Sequence, residues 1–189
     1  YDVEGINVII LYPSNKVSYI QEKQLTTLDK NIYALEVNGT FDDCQKLVKQ
    51  AFLDDNLKFH LDLSSANSIN IARLIPQSFY YFNAYAKLNS DKEVAVSVPS
   101  GNFGNITAGI LAKHMGLPIK KFIASINANK TILEFLKTSK YIPTKSIETI
   151  SNAMDVGDPS NIKRIMDIYH NLESLKKHLI AFSFNDEET

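Results

Sequence analysis

The sequence predicts an α/β fold: a mostly parallel, doubly wound sheet with flanking helices. Three features of the 189 residues carry that expectation. Strand-like and helix-like segments alternate along most of the chain, the order that builds parallel sheets through helical crossovers. The first strand candidate, Ile6 to Leu11, is a largely apolar run of the kind buried on both faces of a parallel sheet. A later one, Glu93 to Val98, runs through a glycine-bearing loop directly into a helix start.

Composition narrows the class of function. The apolar fraction is 44% and the charged fraction 22%, ordinary values that exclude disorder. Lys and Arg total 20 against 21 Asp and Glu, so the basic excess of a nucleic-acid or anionic-membrane binder is missing. A single cysteine, Cys44, excludes a disulfide framework and any multi-cysteine metal site. His60, His114, His170 and His178 are too scattered for a zinc pattern, so no metal is expected. No apolar run has the length of a spanning helix and no signal-peptide pattern opens the chain, so a cytoplasmic location is expected.

The elements follow in order. After Ile6 to Leu11, stopped by Pro13 and Ser14, a helix is expected over Val17 to Leu28, then a strand from Tyr33 to Val37. Thr40 caps the next helix, with Asp42 and Asp43 in its first turn at the positive end of the helix dipole. Its Phe41, Cys44, Val48, Ala51 and Phe52 recur at three- and four-residue steps, which puts Cys44 on the buried stripe as a small core residue. Asp54-Asp55 reads as a solvated loop and Lys58 to Leu63 as a short strand.

A long aromatic helix is expected from Ile71 to Leu88, kinked at Pro76. Its Phe79, Tyr80, Tyr81, Phe82 and Tyr85 read as core and interface packing. A helix over Ile106 to Met115 stops at Gly116 and Pro118, a strand covers Ile119 to Ala124, and a helix starts at Thr131. From Thr138 to Pro159 the pattern is irregular, then helical to about Leu175, and Ile180 to Phe184 reads as a strand. A division into a smaller lobe over 1–60 and a larger one over 61–189 is expected. Gly5 reads as the stop of a helix upstream of residue 1. Asn185-Asp186-Glu187-Glu188 reads as the cap and acidic first turn of a helix beyond the chain. Both ends therefore read as cuts through a larger α/β protein.

The segment Ser100-Gly101-Asn102-Phe103-Gly104-Asn105 holds the clearest chemistry. A helix start presents unpaired N–H groups and partial positive charge, and no Lys or Arg occupies the loop. The arrangement suits a phosphate dianion held by backbone amides, with an ordinary strand–helix turn as the bland alternative. It lacks the Gly-Lys-Ser/Thr ending of a Walker loop, and the three-glycine spacing of the dinucleotide fingerprint fails.

That segment, with Thr107-Ala108-Gly109 and Ala112-Lys113 after it, resembles the cofactor-phosphate loop of the threonine synthase family, pyridoxal-phosphate enzymes of fold type II. Gly39-Thr40-Phe41-Asp42-Asp43-Cys44-Gln45, Asn67-Ser68-Ile69-Asn70 with Arg73 and Gln77, and Ser151-Asn152-Ala153-Met154-Asp155-Val156 resemble it too, in one order. The resemblance implies pyridoxal 5′-phosphate as cofactor, with Gly101, Asn102, Phe103, Gly104 and Asn105 at its phosphate. It implies O-phospho-L-homoserine as substrate, converted with water to L-threonine and phosphate.

Ser68, Asn70 and Arg73 form a second expected cluster, in which a guanidinium one turn after small polar residues holds a substrate phosphate or carboxylate. The bland reading there is a capped helix with a solvated arginine. Asn152 and Asp155 match a family segment, with loop capping as the only assigned role.

No lysine here sits in the Phe-Lys-Asp context of the family's Schiff-base lysine, which the resemblance places upstream. The chain is therefore expected to be a central fragment, inactive alone, whose partners include the other parts of its own polypeptide. Another fold type II lyase or dehydratase, or a non-catalytic module binding a phosphorylated ligand, are the alternatives.

Overall fold

The computed structural model describes residues 1–187. The chain divides into two compact units, Tyr1–Leu63 and a second from Ser64 onward. Every strand pairing is parallel, as expected.

In the first unit β1 (Val8–Pro13) pairs with β2 (Ile32–Val37), Val8 opposite Ile32 and Pro13 opposite Val37. Between them α1 (Tyr19–Thr26) starts with a reciprocal cap. Gln21 N donates to Ser18 Oγ, and Ser18 N donates back to Gln21 Oε1. The same device opens α2 (Phe41–Leu53), where Asp43 N donates to Thr40 Oγ1 and Thr40 N to Asp43 Oδ2 at 2.7 Å. Cys44 lies 4% exposed on the buried stripe of α2, and burial pushes its thiol pKa up. A thiol so placed is poorly ionised and packs as a small apolar group.

Two expectations fail here. Residues 58–63 do not form a strand; α3 (Asp55–His60) takes up the first half of that stretch. The cause lies just upstream, where Asp54 Oδ1 accepts from the N–H groups of Asn56 (2.9 Å) and Leu57 (3.0 Å). Asp54-Asp55 is thus a helix cap and first turn rather than a loop, and the cap's local bonds outweigh a weak strand pattern. The two-faced burial expected of the first strand is also incomplete. Ile9 and its partner Tyr33 are exposed, as is Leu35. Gly5 does adopt a left-handed φ of +75°, within a turn at Glu4–Gly5.

The second unit is built on a three-stranded sheet of order β3 (Val94–Pro99), β4 (Ile119–Ile126), β5 (Leu179–Ser183). The register aligns Val96, Phe122 and Leu179 across the three strands, and Phe122 and Leu179 are buried. The helices are α4 (Leu74–Leu88), α5 (Gly104–His114), α6 (Thr131–Thr138), α7 (Ile162–Tyr169) and α8 (Leu172–His178). Leu74, Ile106, Ile110, Phe122, Ile165 and Leu175 are fully buried in one core that joins these helices to the sheet.

The expected kink at Pro76 does not arise. A 3₁₀ turn over Ile71–Arg73 precedes α4, and Pro76 is the third residue of the α-helix, where an N–H would have no helical partner anyway. Of the α4 aromatics, Tyr81 is buried and Phe82 and Tyr85 pack against the core, whereas Phe79 and Tyr80 are exposed. The stop of α5 is as expected: Gly116 N donates to Lys113 O and Leu117 N to Ala112 O, with Gly116 at φ +105°. The helical stretch to Leu175 is broken at His170, which is left-handed, before Asn171 caps α8. At the far end Glu187 N donates to Asn185 Oδ1, as in a cap, and Glu188 of that expected turn lies outside the described residues.

Two consequences can be measured. A Cβ on Gly109 of α5 would lie 2.6 Å from ring atoms of both Phe122 and Tyr81. Alanine gains about 1 kcal/mol in helix propensity, but overpacking between two buried rings costs about 1–3 kcal/mol. Gly109→Ala therefore lowers the urea midpoint; a raised midpoint would mean the rings yield freely. Second, the Tyr169 hydroxyl is buried with no hydrogen-bond partner among the described residues, and burial pushes its pKa up from 10 to about 12. Tyr169→Phe removes an unpaired buried dipole and stabilises the protein by about 1 kcal/mol near neutral pH. In the parent this tyrosine's contribution is fully present below pH 10 and is lost as pH rises towards 12, because only the unfolded phenol ionises there. The variant loses less stability across that window.

Candidate functional site

β3 ends at Pro99, and Ser100 is still tied to the sheet, its N–H donating to Ser125 O at 2.8 Å. The chain then turns through Gly101 and Asn102 to Phe103, a left-handed residue at φ +60° that stands at the cap position of α5. Phe103 is 3% exposed, so its ring anchors the turn in the core while its backbone opens the helix. No side chain caps α5. Among the described residues, nothing accepts from the N–H groups of Gly104, Asn105 and Ile106. Three donors at the positive end of an eleven-residue helix converge where no protein acceptor stands.

The loop is held from outside by side chains. Asn102 Nδ2 donates to Ser68 Oγ (3.0 Å), and Asn102 Oδ1 accepts from Ser160 N (2.7 Å) and Ser160 Oγ (3.0 Å). Asn161, fully buried, donates from Nδ2 to the Asn102 carbonyl (3.0 Å) and to Ser68 Oγ (3.3 Å). On the other side Tyr81 Oη donates to Asn105 Oδ1 at 2.7 Å and approaches Asn105 O at 3.0 Å. Burial raises the Tyr81 pKa, so the phenol stays a neutral donor and fixes the Asn105 carboxamide.

The two loop glycines answer to protein packing as well. A Cβ on Gly101 would lie 2.7 Å from Met154 Cα, and one on Gly104 would lie 3.0 Å from Ser68 Cβ. Glycine here lets three chain segments close on one another.

The second expected cluster is only partly brought to this place. Ser68 joins the loop through the bonds above. Asn70 caps the 3₁₀ turn, its Oδ1 accepting from Ala72 N and its Nδ2 donating to Ser65 O. Arg73 ends that turn with its side chain exposed.

The sequence reading missed Ser160, Asn161 and Arg164. Arg164 Nη1 donates to Ser68 O (2.6 Å) and Asn161 Oδ1 (2.7 Å), and Nη2 donates to Ile69 O. Only the capping-type pair Ser160-Asn161 ahead of a helix signalled them, and such a pair reads as local.

A second polar centre lies past the end of β4. Asp155 Oδ1 accepts from Asn127 Nδ2 (2.8 Å), Asn129 Nδ2 (3.3 Å) and Thr149 Oγ1 (2.7 Å), and Oδ2 accepts from Thr149 N (3.0 Å). Asn127, Asn129 and Thr149 are buried. This is more than loop capping: one carboxylate organises the 147–156 segment, whose Met154 backbone presses on Gly101. No group of three or more His, Cys, Asp or Glu placed to hold a metal ion occurs among the described residues. None of their helices is long and apolar enough to cross a membrane.

The site can receive a tetrahedral anion through neutral donors, and it offers no nucleophile or base of its own within the loop. Asn102→Ala strips the acceptor from Ser160 N–H and the donor from Ser68 at once. It should cost about 2–3 kcal/mol by urea unfolding, the penalty for stranding partly buried polar groups. A change under about 0.5 kcal/mol would show that Ser68 and Ser160 find water instead.

No protein-family model matches the chain. Individual proteins do. The threonine synthase of Buchnera aphidicola subsp. Baizongia pistaciae is 53% identical over 171 residues, covering 89% of this chain and 40% of that protein. The crystal structure of threonine synthase from Escherichia coli matches at a TM-score of 0.93 and 47% identity, covering 99% of this chain and 44% of that one. The PLP-bound threonine synthase from Brucella melitensis matches at a TM-score of 0.82 and 34% identity, over 96% and 45% of the two chains. In sequence and in fold the chain is homologous, over essentially its whole length, to threonine synthases, and it spans less than half the length of the relatives it matches.

Proposed function

We propose that this chain is the part of a threonine synthase that holds the 5′-phosphate of pyridoxal phosphate. The enzyme it serves converts O-phospho-L-homoserine and water into L-threonine and phosphate. In this reading residues 1–60 belong to a smaller lobe, and residues 61–189 to the larger, phosphate-holding one. The observation that carries the proposal is the start of α5: three backbone N–H groups without an acceptor among the described residues, on a loop free of charged side chains. That donor set fits a phosphate dianion, which needs several converging hydrogen bonds and is favoured by the helix dipole.

Within this reading Gly104, Asn105 and Ile106 donate main-chain N–H groups, and Gly101 and Asn102 shape the turn that aims them. Phe103 locks the turn to the core. When bound, the cofactor supplies the electron sink for carbanions formed on the substrate. Ser68 serves by bracing the loop, since its hydroxyl already meets Asn67, Asn102 and Asn161. The exposed Arg73, one turn beyond Asn70, is the group available for an anionic end of the substrate. No lysine of this chain stands in the expected Schiff-base motif, so the chain by itself should not turn over substrate.

The test is a titration followed by amide resonances. Inorganic phosphate and pyridoxal phosphate should both shift the amides of Gly104, Asn105 and Ile106, and Asn105→Asp, which adds a negative charge at the mouth, should weaken either ligand about tenfold. Ligand-induced shifts that avoid these three amides would refute the cradle. Release of phosphate from O-phospho-L-homoserine by this chain with added cofactor would show that it carries its own catalytic lysine.

A further inference from the structure

The phosphate loop contains no cation, yet one stands immediately behind it. Arg164 lies in the first turn of α7, and its guanidinium donates only to neutral acceptors: the carbonyls of Ser68 and Ile69 and the Asn161 carboxamide. Among the described residues no carboxylate comes within 4 Å of it, whereas Lys30, Lys58, Lys137 and Lys176 each meet one. A half-buried guanidinium held by neutral acceptors keeps its full positive charge, with no carboxylate among the described residues to offset it. Its connection to the loop is short. From Nη1 a 2.7 Å bond reaches Asn161 Oδ1, and Nδ2 of the same carboxamide makes a 3.0 Å bond to the Asn102 carbonyl. That path joins the charge to the Asn102 carbonyl, two residues before the start of α5, through a single carboxamide. The same fork grips two successive carbonyls, of Ser68 and Ile69, and so fixes the Ser68 Cβ that lies against Gly104.

We infer that Arg164 is the positioning residue of the anion site and the source of its uncompensated positive charge. The inference rests on the phosphate-cradle reading above. Two effects are combined in one side chain. The planar fork sets the Ser68 segment against the loop, which a lysine cannot reproduce, and the charge favours a dianion, which a lysine can. The structural part predicts loosened loop contacts when the fork is lost. The electrostatic part predicts weaker phosphate binding in proportion to charge, with a dependence on salt that a purely structural residue would not confer.

The experiment compares the parent protein with Arg164→Lys and Arg164→Met. Inorganic phosphate is the probe, the Asn105 amide shift the readout, and the titrations are run at low and at high ionic strength. Arg164→Met should lose about tenfold in phosphate affinity at low salt, and the difference from the parent should shrink at high salt. Arg164→Lys should recover most of that affinity, with the salt dependence restored. In both variants the Ser160 amide, which donates to Asn102 Oδ1, should exchange with solvent faster than in the parent. Phosphate affinity in Arg164→Met equal to the parent's at both ionic strengths overturns the electrostatic role, and so does an equal loss in Met and Lys. If Arg164→Met does not fold, Arg164→Lys decides: a tenfold loss in the lysine variant overturns the charge argument. If phosphate shifts no amide of residues 104–106 in the parent, the cradle reading itself fails. The clamp is then judged by Ser160 exchange alone, and unchanged exchange in Arg164→Lys overturns it.

Discussion

Asn102 is the residue on which the geometry of the site depends. Its carboxamide donates to Ser68 and accepts from Ser160, and its main-chain carbonyl accepts from Asn161. These partners lie 34 and 58–59 positions away in the sequence, so one side chain closes two long loops together. Closing long loops costs entropy that local contacts cannot offset, and it is met here by a dense set of bonds in a partly buried place. Because the acceptors of this centre are taken by its own side-chain and main-chain donors, the N–H groups at the start of α5 are what remains unpaired among the described residues. What the surroundings leave unsatisfied is a set of main-chain donors.

The same principle explains why the site needs no charged residue in its loop. Backbone donors fixed by Phe103 and braced by Tyr81 do not have to reorganise when an anion arrives, and a lysine in their place would carry rotamer entropy and a hydration shell. Charge enters at one remove, through Arg164, so the contact surface stays neutral and its shape is set by main chain. Asp155 shows the complementary solution for a negative group. Its carboxylate is satisfied wholly by amides and hydroxyls, of Asn127, Asn129 and Thr149, rather than by a cation. The two centres meet through backbone, where Met154 lies against Gly101. The irregular segment from 139 to 160 is thus held by side-chain bonds in place of a backbone ladder.

Strand, helix and cap positions were written in the sequence wherever the information is local. The Thr40–Asp43 cap, the stop at Gly116, the Cys44 stripe and the strand–glycine loop–helix unit at 94–114 all stand where residue type and spacing place them. Each depends on atoms within about four residues, so pattern and propensity suffice. Local information also misled where two local signals competed. At 54–60 the Asp54 cap overrode a strand-like run, and at Pro76 a first-turn position removed the reason for a kink. Resemblance to a known family carried the reading of the 100–105 loop further than physics alone, and the comparisons bear out that family. Tertiary structure decided the rest: that Ser68 braces the loop while Asn70 caps a turn, that Gly101 and Gly104 make room for Met154 and Ser68, and that Asn161 and Arg164 belong to the site at all. Contacts between residues 34 to 96 positions apart leave no periodicity behind. They exist only once the chain has folded and brought those backbones within hydrogen-bond reach.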